Sequence, residues 1–318
     1  MSSFVRSRAA AAVLAAALLG FGAAGCGASP TAGSSAATTR IVVVDDAGHR
    51  VVLAHPVHRL VVIEPSNFEI LDAMGLRQDV VGVDSSVPRY TPAPWQSAAK
   101  GIPSIGSAVP APSAERVLAL HPQLVIASTP LSDLKALTAL HIPVMVLDPT
   151  SLAGVYHDIA LVGQVTGHAG RAAALVAQLK RNLAGVTARL AGIRTRPTLF
   201  YDLGQLYTTG RGTFLTAMIG LAGGRNALAG EVTGWPQVTA EQVVRANPDY
   251  ILIDSGAGVT PAQEENYAGF ASTTAAHLHH ILVVPNSSYL DQPSIGIWRG
   301  VLELARILHP ARMTGYRG

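Results

Sequence analysis

Two glutamates occupy equivalent places in a phrase that the sequence contains twice. Residues 113–128 read SAERVLALHPQLVIAS, and residues 239–254 read TAEQVVRANPDYILID. Each copy predicts a hydroxyl N-cap, a helix with Glu in its first turn, an Xaa-Pro turn and an apolar strand. Glu115 and Glu241 would then present one carboxylate on each of two similar lobes, which indicates a two-point ionic contact with a symmetric partner. The alternative is that each glutamate only favours its own helix dipole.

Few other residues have the spacing of catalytic or metal-binding groups. The sequence contains no G-x-x-x-x-G-K-[ST] phosphate loop and no G-x-S-x-G nucleophile elbow. His277, His279 and His280 stand together, but they directly precede an apolar run and are expected to be solvated turn residues. No set of potential ligands has convincing spacing, so we predict no metal site. These observations favour a binding protein over an enzyme.

The only cysteine follows an apolar N-terminal run. Two arginines precede an uncharged stretch, residues 9–25, whose small residues end directly before Cys26. This order predicts a lipoprotein signal peptide over residues 1–25, cleaved so that the Cys26 thiol carries lipid. Ala23 stands where such motifs usually have Leu. An uncleaved membrane anchor is the alternative, although the run is shorter than the ~20 residues that cross a bilayer.

Composition limits what the rest of the chain can do. Residues 26–39 are rich in Gly, Ser, Ala and Thr, and they predict a flexible tether. The body that follows has no cysteine and therefore cannot use disulfides. The whole chain carries a formal charge of +3, and removal of Arg6 and Arg8 with the signal peptide leaves +1. This balance argues against a nucleic-acid-binding surface.

Apolar runs alternate with helical patterns throughout the body. After a predicted hairpin, these runs lie at 60–63, 80–83, 124–127, 144–147, 198–201, 250–253 and 281–284. The alternation predicts an α/β fold of two Rossmann-like lobes with parallel-type sheets. Residues 169–192 have apolar side chains at three- and four-residue spacing, which predicts one long connecting α-helix. The lobes would then be 40–168 and 193–318. An ordinary outer helix of one sheet is the alternative.

Longer segments carry a resemblance to a known family. They read DDAGHRVVL, HRLVVIEPSNFEILDAMGL, YTTGRGTFLTAMIGLAGGRNAL and WPQV, in addition to the repeated phrase. Over residues 41–318 the chain resembles the substrate-binding lipoproteins of ABC importers that take up cobalamin, ferric siderophores or haem. The resemblance implies two α/β lobes joined by a long helix, with a binding domain over about residues 58–318 and the ligand between the lobes.

The resemblance also implies partners and a location. Such a protein is extracytoplasmic, anchored to the membrane by lipid and monomeric. It delivers its ligand to a permease dimer that works with separate ATPase subunits. In this family a glutamate from each lobe docks into arginine pockets of the permease. The resemblance implies that Glu115 and Glu241 are the docking glutamates here. No intrinsic cofactor is implied, because the transported chelate is the ligand.

Ligand contacts are implied in the loops that follow the strands of both lobes. The residues concerned are Pro65, Ser66, Ser86, Ser128, Tyr207, Trp235 and Tyr289. Aromatic side chains suit a large conjugated ligand, because their faces add stacking to apolar burial. Packing within the second lobe is the alternative for Tyr207 and Trp235. If the ligand is haem, Tyr201, Tyr207 or Tyr289 is a candidate to bind its iron.

One position departs from the family pattern and bears on the choice of ligand. Relatives often carry an arginine shortly after a Pro-Ser or Pro-Gly pair near the end, where it pairs with an anionic ligand. Here that position is Gly296, and Arg299 follows three residues later. WPQV and the aromatic residues favour cobalamin, with ferric siderophore or haem next. A free transition-metal receptor of the same fold and a lipid-anchored sensor or scaffold are the alternative functions.

Overall fold

The computed structural model describes residues 40–108, 112–128 and 134–317. The predicted signal peptide, the tether and the lipidation site Cys26 lie outside the described residues. The described residues fall within one compact unit, Thr38–Gly318. Among them, no helix combines the length and the apolar character that a membrane crossing requires.

The first lobe contains a short hairpin and a parallel sheet. The hairpin strands are β1 (Ile41–Val44) and β2 (Arg50–Leu53), and the sheet strands are β3 (Leu60–Val62), β4 (Val80–Val83), β5 (Leu124–Ala127) and β6 (Val144–Val146). The spatial order in the sheet is β4-β3-β5-β6. The helices of this lobe are α1 (Pro65–Ala73), α2 (Val87–Tyr90), α3 (Gln96–Ala99), α4 (Ala114–Ala119), α5 (Lys135–Ala139) and α6 (Leu152–Val165).

One long helix, α7 (Ala169–Arg189), follows the first lobe. At 1.5 Å per residue it is about 31 Å long. Leu179, Leu183 and Val186 on one face are buried in a core to which both lobes contribute. The helix ends before the predicted residue 192, because Leu190 forms the C-cap and Gly192 has a φ of +72° that a helix cannot continue.

The second lobe repeats the sheet of the first. Its strands are β7 (Thr198–Asp202), β8 (Arg225–Asn226), β9 (Tyr250–Ile253) and β10 (Ile281–Val283), in the order β10-β9-β7-β8. All described neighbours in both large sheets are parallel. In each of these sheets the strand that comes first in the chain, β3 or β7, lies between the second and the third. Its helices are α8 (Phe214–Leu221), α9 (Ala240–Ala246), α10 (Pro261–Glu265), α11 (Thr274–His277), α12 (Ile297–Leu308) and α13 (Pro310–Met313). The predicted fold class is confirmed.

Both faces of the central strands are buried, which explains why β3, β5 and β9 are apolar, whereas the edge strands β8 and β10 are partly exposed. In β3, Leu60 and Val62 face the core shared with α7, whereas Val61 packs into a second apolar layer on the other face. In β7, Tyr201 faces the shared core and Phe200 faces the outer layer of its lobe. The sheets are thereby held rigidly against α7, and the loops at their carboxyl ends have fixed supports.

Candidate ligand-binding cleft

The carboxyl ends of the strands in both lobes border one cleft. The connections after β3 and β5 run to opposite sides of the first sheet, and those after β7 and β9 do the same in the second. Ligands of open α/β sheets bind where neighbouring connections diverge in this way. Here a cavity of about 470 Å³ lies at these ends and is lined by residues of both lobes.

The wall from the first lobe contains four of the residues implied by the resemblance. Pro65, Ser66, Ser86 and Ser128 all line the cavity. The backbone N–H of Ser86 donates to Asp84 Oδ1 at 2.6 Å, and Asn67 Nδ2 donates to Ser128 Oγ at 3.3 Å. These bonds fix the loops after three adjacent strands, so the polar groups of this wall are held in place before a ligand arrives.

The wall from the second lobe is aromatic. Trp235 lies against Phe214 with ring centroids 5.4 Å apart, and 47 % of Trp235 is exposed in the cleft. Phe214 begins α8 because Thr213 caps that helix, accepting a hydrogen bond from the Thr216 N–H. The segment before Trp235 packs so closely on Gly210 that a Cβ there would lie 2.7 Å from the Val232 carbonyl oxygen. The YTTGRGTF turn therefore requires glycine at 210 to support this aromatic surface.

Two of the implied residues lie outside this lining. Tyr207 is 48 % exposed and does not line the cavity, whereas the adjacent Leu206 is buried in the core. Tyr289 packs edge-on against Trp95, with centroids 6.4 Å apart, and its hydroxyl donates to the Ala93 carbonyl. Tyr201 is buried and donates to Asp254 Oδ2 at 2.9 Å.

The cleft receives no arginine from the segment in which relatives often have one. A side chain at Gly296 would come within 2.7 Å of the Tyr289 ring. The Arg299 guanidinium lies over the Trp298 ring at 4.7 Å and the Tyr289 ring at 5.7 Å. Arg299 lines a different cavity, of about 210 Å³, beside α7. An anionic ligand in the main cleft therefore has no partner in this segment.

Several lining residues were not predicted from the sequence. They are Glu64, Tyr90, Asp148, Phe214, Ser288, Asp291, Gln292 and Pro293. Glu64 and Asp148 each stand two residues after a strand, so a search for polar residues at strand ends would have found them. Asp291 stands eight residues after β10 (291 − 283), and only the path of the intervening loop brings it to the cleft.

The carboxyl groups of the cleft have raised pKa values. Partial burial, together with the charges of Asp84 and Asp148, raises the pKa of Glu64 to about 7. Asp291 remains accessible to water, but protein atoms surround much of its carboxyl group. This partial desolvation and the charge of Asp254 raise the pKa of Asp291 to about 8. The pKa of Asp148 is raised by partial burial and by Asp46. In each case desolvation by the surrounding protein is the largest cause, and it disfavours the ionised carboxylate.

A single segment of the second lobe ties the two lobes together below the cleft. Gln292 Nε2 donates to the Tyr90 carbonyl at 3.0 Å, and Ser294 Oγ donates to the Ser66 carbonyl at 3.0 Å. The hydroxyl of Tyr289 adds a third bond across the same junction. Glu69 of α1 is buried here, and its Oε1 has no hydrogen-bond partner.

We expect Glu69→Gln to stabilise the protein at pH 8 and to have little effect near pH 4.5. Burial raises the pKa of Glu69 from 4.5 to about 8, and a hydrogen bond with Ser294 opposes this only in part. Between these pH values the unfolded chain releases a proton that the folded protein keeps, so stability falls as the pH rises. At about 1.4 kcal/mol per pKa unit, the rise from 4.5 to about 8 sets an upper limit of about 5 kcal/mol, and we expect the variant to gain at least roughly 2 kcal/mol at pH 8.

Urea unfolding at both pH values measures this effect. Glu265→Gln is the matched control, because Glu265 is an exposed glutamate on α10. The interpretation fails if Glu69→Gln is destabilising at pH 8, or if both variants shift stability equally.

The two glutamates of the repeated phrase have equivalent surroundings. Glu115 is exposed in the first turn of α4, whose N-cap is Ser113. Glu241 is exposed in the first turn of α9, where Thr239 and Gln242 form a capping box. A hydrogen bond from its own N–H and one with the Thr239 hydroxyl lower the pKa of Glu241. Neither glutamate lines the main cleft.

His277, His279 and His280 precede β10 and so lie at the amino end of that strand, whereas the cleft lies at the carboxyl ends. His280 precedes β10 directly, and its ring stacks on Tyr250 with centroids 4.1 Å apart. His277 Nδ1 lies 2.9 Å from the Thr273 carbonyl oxygen. Among the residues that the structure describes, no group of three or more His, Cys, Asp or Glu side chains is arranged to hold a metal ion.

Two similar parallel-sheet lobes, a long connecting helix and a cleft at the strand ends define a two-lobe solute-binding protein. The family model for periplasmic binding proteins matches residues 60–287. The chain belongs to this family, as the motifs of its sequence indicated. Membership implies a small-molecule ligand, an extracytoplasmic location and a membrane permease with its ATPase as partner.

Individual relatives extend the comparison. The ABC transporter substrate-binding lipoprotein YvrC of Bacillus subtilis is 29 % identical over 281 residues, covering 85 % of this chain and 86 % of YvrC. A cobalamin-binding protein of Halobacterium salinarum is 27 % identical, covering 79 % of this chain and 69 % of the relative. The solved structure of the periplasmic heme-binding protein RhuT from Roseiflexus sp. RS-1 has a TM-score of 0.70 at 27 % identity, covering 80 % and 99 % of the two chains.

Proposed function

We propose that this protein is the lipid-anchored receptor of an ABC importer, which captures a metal chelate in its inter-lobe cleft and delivers it to the permease. The observation that carries the proposal is the cavity of about 470 Å³ at the carboxyl ends of both sheets. A second cavity of about 400 Å³ shares Trp235 and Asp291 with it, so the available space continues along the second lobe. A cleft of this size and aromatic character suits a bulky, conjugated ligand.

Cobalamin is the preferred ligand, followed by a ferric siderophore and haem. The relatives named for cobalamin or vitamin B12 support this order, at 27 % and 28 % identity. The exposed face of Trp235 offers a flat apolar surface to a corrin ring. We expect no enzymatic activity, since the family consists of solute-binding proteins and the sequence contains neither a phosphate loop nor a nucleophile elbow.

Docking to the permease would use Glu115 and Glu241. Both carboxylates are exposed, both belong to the first turn of a short helix, and these helices precede the equivalent strands β5 and β9. Two arginine pockets related by the symmetry of a permease dimer would match two carboxylates on two similar lobes. We expect the receptor to bind as a monomer, with one lobe on each permease subunit.

The membrane anchor would be the lipid on Cys26. The support comes from the sequence order of arginines, apolar run and small residues before this cysteine, and from the lipoprotein relative YvrC. Residues 26–39 would then tether the folded body close to the membrane surface.

Titration of residues 40–318 by tryptophan fluorescence tests the receptor proposal. The ligands are cobalamin, haemin and several ferric siderophores, and the reporters include Trp235 in the cleft. Saturable quenching at sub-micromolar concentration by one of them is the expected result and identifies the ligand class. The absence of a response to all of them would overturn the chelate proposal and favour a sensor or scaffold.

A further inference from the structure

The walls of the cleft carry negative groups from both lobes. Glu64 and Asp148 line it from the first lobe, and Asp291 lines it from the second. In the described part of the chain, neither this cavity nor the one that shares Trp235 with it is lined by Arg, Lys or His. The undescribed residues 109–111 and 129–133 contain no basic residue in the sequence either.

The carboxyl group of Glu64 is not used by the helix that follows it. Glu64 is the N-cap residue of α1, but its side chain makes no capping hydrogen bond. It is half-buried between the loops that carry Asp84 and Asp148. Asp84 is already occupied, because it accepts hydrogen bonds from the N–H groups of Ser86 and Ala108. Glu64 therefore remains available to a ligand.

Asp291 stands in a similar relation to its neighbour Asp254. Asp254 accepts hydrogen bonds from the Tyr201 hydroxyl at 2.9 Å and the Gly256 N–H at 2.6 Å. Asp291 accepts a hydrogen bond from the Ser287 hydroxyl at a long 3.4 Å, and it also shares a side-chain hydrogen bond with Asp254. Two carboxyl groups so close together repel when both are ionised, and a positive group in the cleft would relieve that repulsion.

Two arginines of neighbouring segments, Arg299 and Arg89, do not line this surface. Arg299 is held over Tyr289 and Trp298 and lines the other cavity, beside α7. Arg89 is exposed and lies over the Tyr90 ring at 5.0 Å, outside the lining of the cleft. Above the raised pKa values of Glu64 and Asp291, a ligand with carboxylate groups would meet like charges in a partly desolvated site, whereas an amide, amine or cationic complex would not.

We propose that the cleft selects neutral or cationic chelates and discriminates against anionic ones, with Glu64 and Asp291 as the residues that determine this selectivity. The inference rests on the proposed function, since it concerns the ligand of the same cleft. It separates the candidate ligands by chemistry. Corrinoids with amide side chains and siderophores with an amine are accepted, and haem, with two propionates, is disfavoured.

Calorimetric titration of the full chain in detergent at about pH 9, above the raised pKa values of Glu64 and Asp291, with two charge-matched ligand sets tests this. The corrinoid set is cyanocobalamin as neutral ligand and a cyanocobalamin monocarboxylic acid as anion. The trihydroxamate set is ferrioxamine B and its N-acetyl and N-succinyl derivatives. In whichever set binds, we expect the anion to bind on the order of tenfold more weakly than the neutral ligand, with a smaller difference at high salt.

The variants Glu64→Gln and Asp291→Asn should each reduce this discrimination, which is measured as the ratio of the affinities for the neutral and the anionic ligand. Glu265→Gln, on the exposed surface of α10, is the matched control and should change nothing. Equal binding of all charge forms, or preference for the anion, overturns the inference alone. If no member of either set binds but haemin or an anionic ferric siderophore does, the inference alone is overturned. Failure of all these ligands to bind overturns the proposed function and this inference with it.

Discussion

Replacing Glu115 and Glu241 together by alanine is expected to abolish ligand uptake while leaving ligand affinity unchanged. Both carboxylates are exposed and neither lines the cleft, so their loss does not alter the binding surface. If they form charge-assisted contacts with arginines, the double variant loses both points of attachment to the permease. We expect uptake by cells that carry the double variant to fall at least about tenfold. Each single variant should give an uptake rate between those of the wild type and the double variant.

The measurement is uptake of labelled ligand by cells that carry the native permease, paired with titration of the purified variants. Glu265→Ala is the control, since it removes an exposed glutamate from another helix of the second lobe. Unchanged uptake in the double variant would show that these glutamates only favour their helix dipoles. A parallel loss of ligand affinity would also contradict a pure docking role.

Trp235→Ala is expected to weaken ligand binding by about ten- to a hundredfold, which corresponds to roughly 1.4–2.8 kcal/mol. Trp235 lines the cleft and is 47 % exposed, so a bound ligand would cover part of its indole ring. Because Trp235 lies in a loop, the substitution should leave thermal stability nearly unchanged.

Tyr207→Ala is the matched control for Trp235. The two aromatic residues are exposed to almost the same extent, 47 % and 48 %, but Tyr207 lies outside the cavity lining. Calorimetry, which does not depend on tryptophan as a reporter, compares the two variants. An equal loss of affinity in both would mean that the ligand extends beyond the cleft, and no loss in Trp235→Ala would remove the aromatic wall from the binding site.

The elements that support the cleft were predictable because they depend on local patterns. Three strands, β4, β5 and β9, begin and end at the same residues as the apolar runs that predicted them. Sheets buried on both faces produce such runs, whatever the ligand. The repeated phrase likewise anticipated that α4–β5 and α9–β9 would be equivalent units, and both sheets have the same strand order.

The predicted limits of the domains remain predictions. The helix expected over 169–192 is observed as Ala169–Arg189. Lipidation of Cys26 also remains a prediction, since this residue lies outside the described part of the chain.

The sequence by itself determined the family, the two-lobe parallel-sheet fold and the serine-bearing loops of the first lobe, because strand periodicity and turn residues act over a few neighbouring positions. The tertiary structure decided which loop residues line the cleft. Tyr207 is exposed outside the lining, Tyr289 forms a hydrogen bond between the lobes, and Asp291 lines the same cleft as Glu64. The direction of a loop side chain depends on backbone dihedral angles and on contacts with distant segments, and no local pattern encodes them.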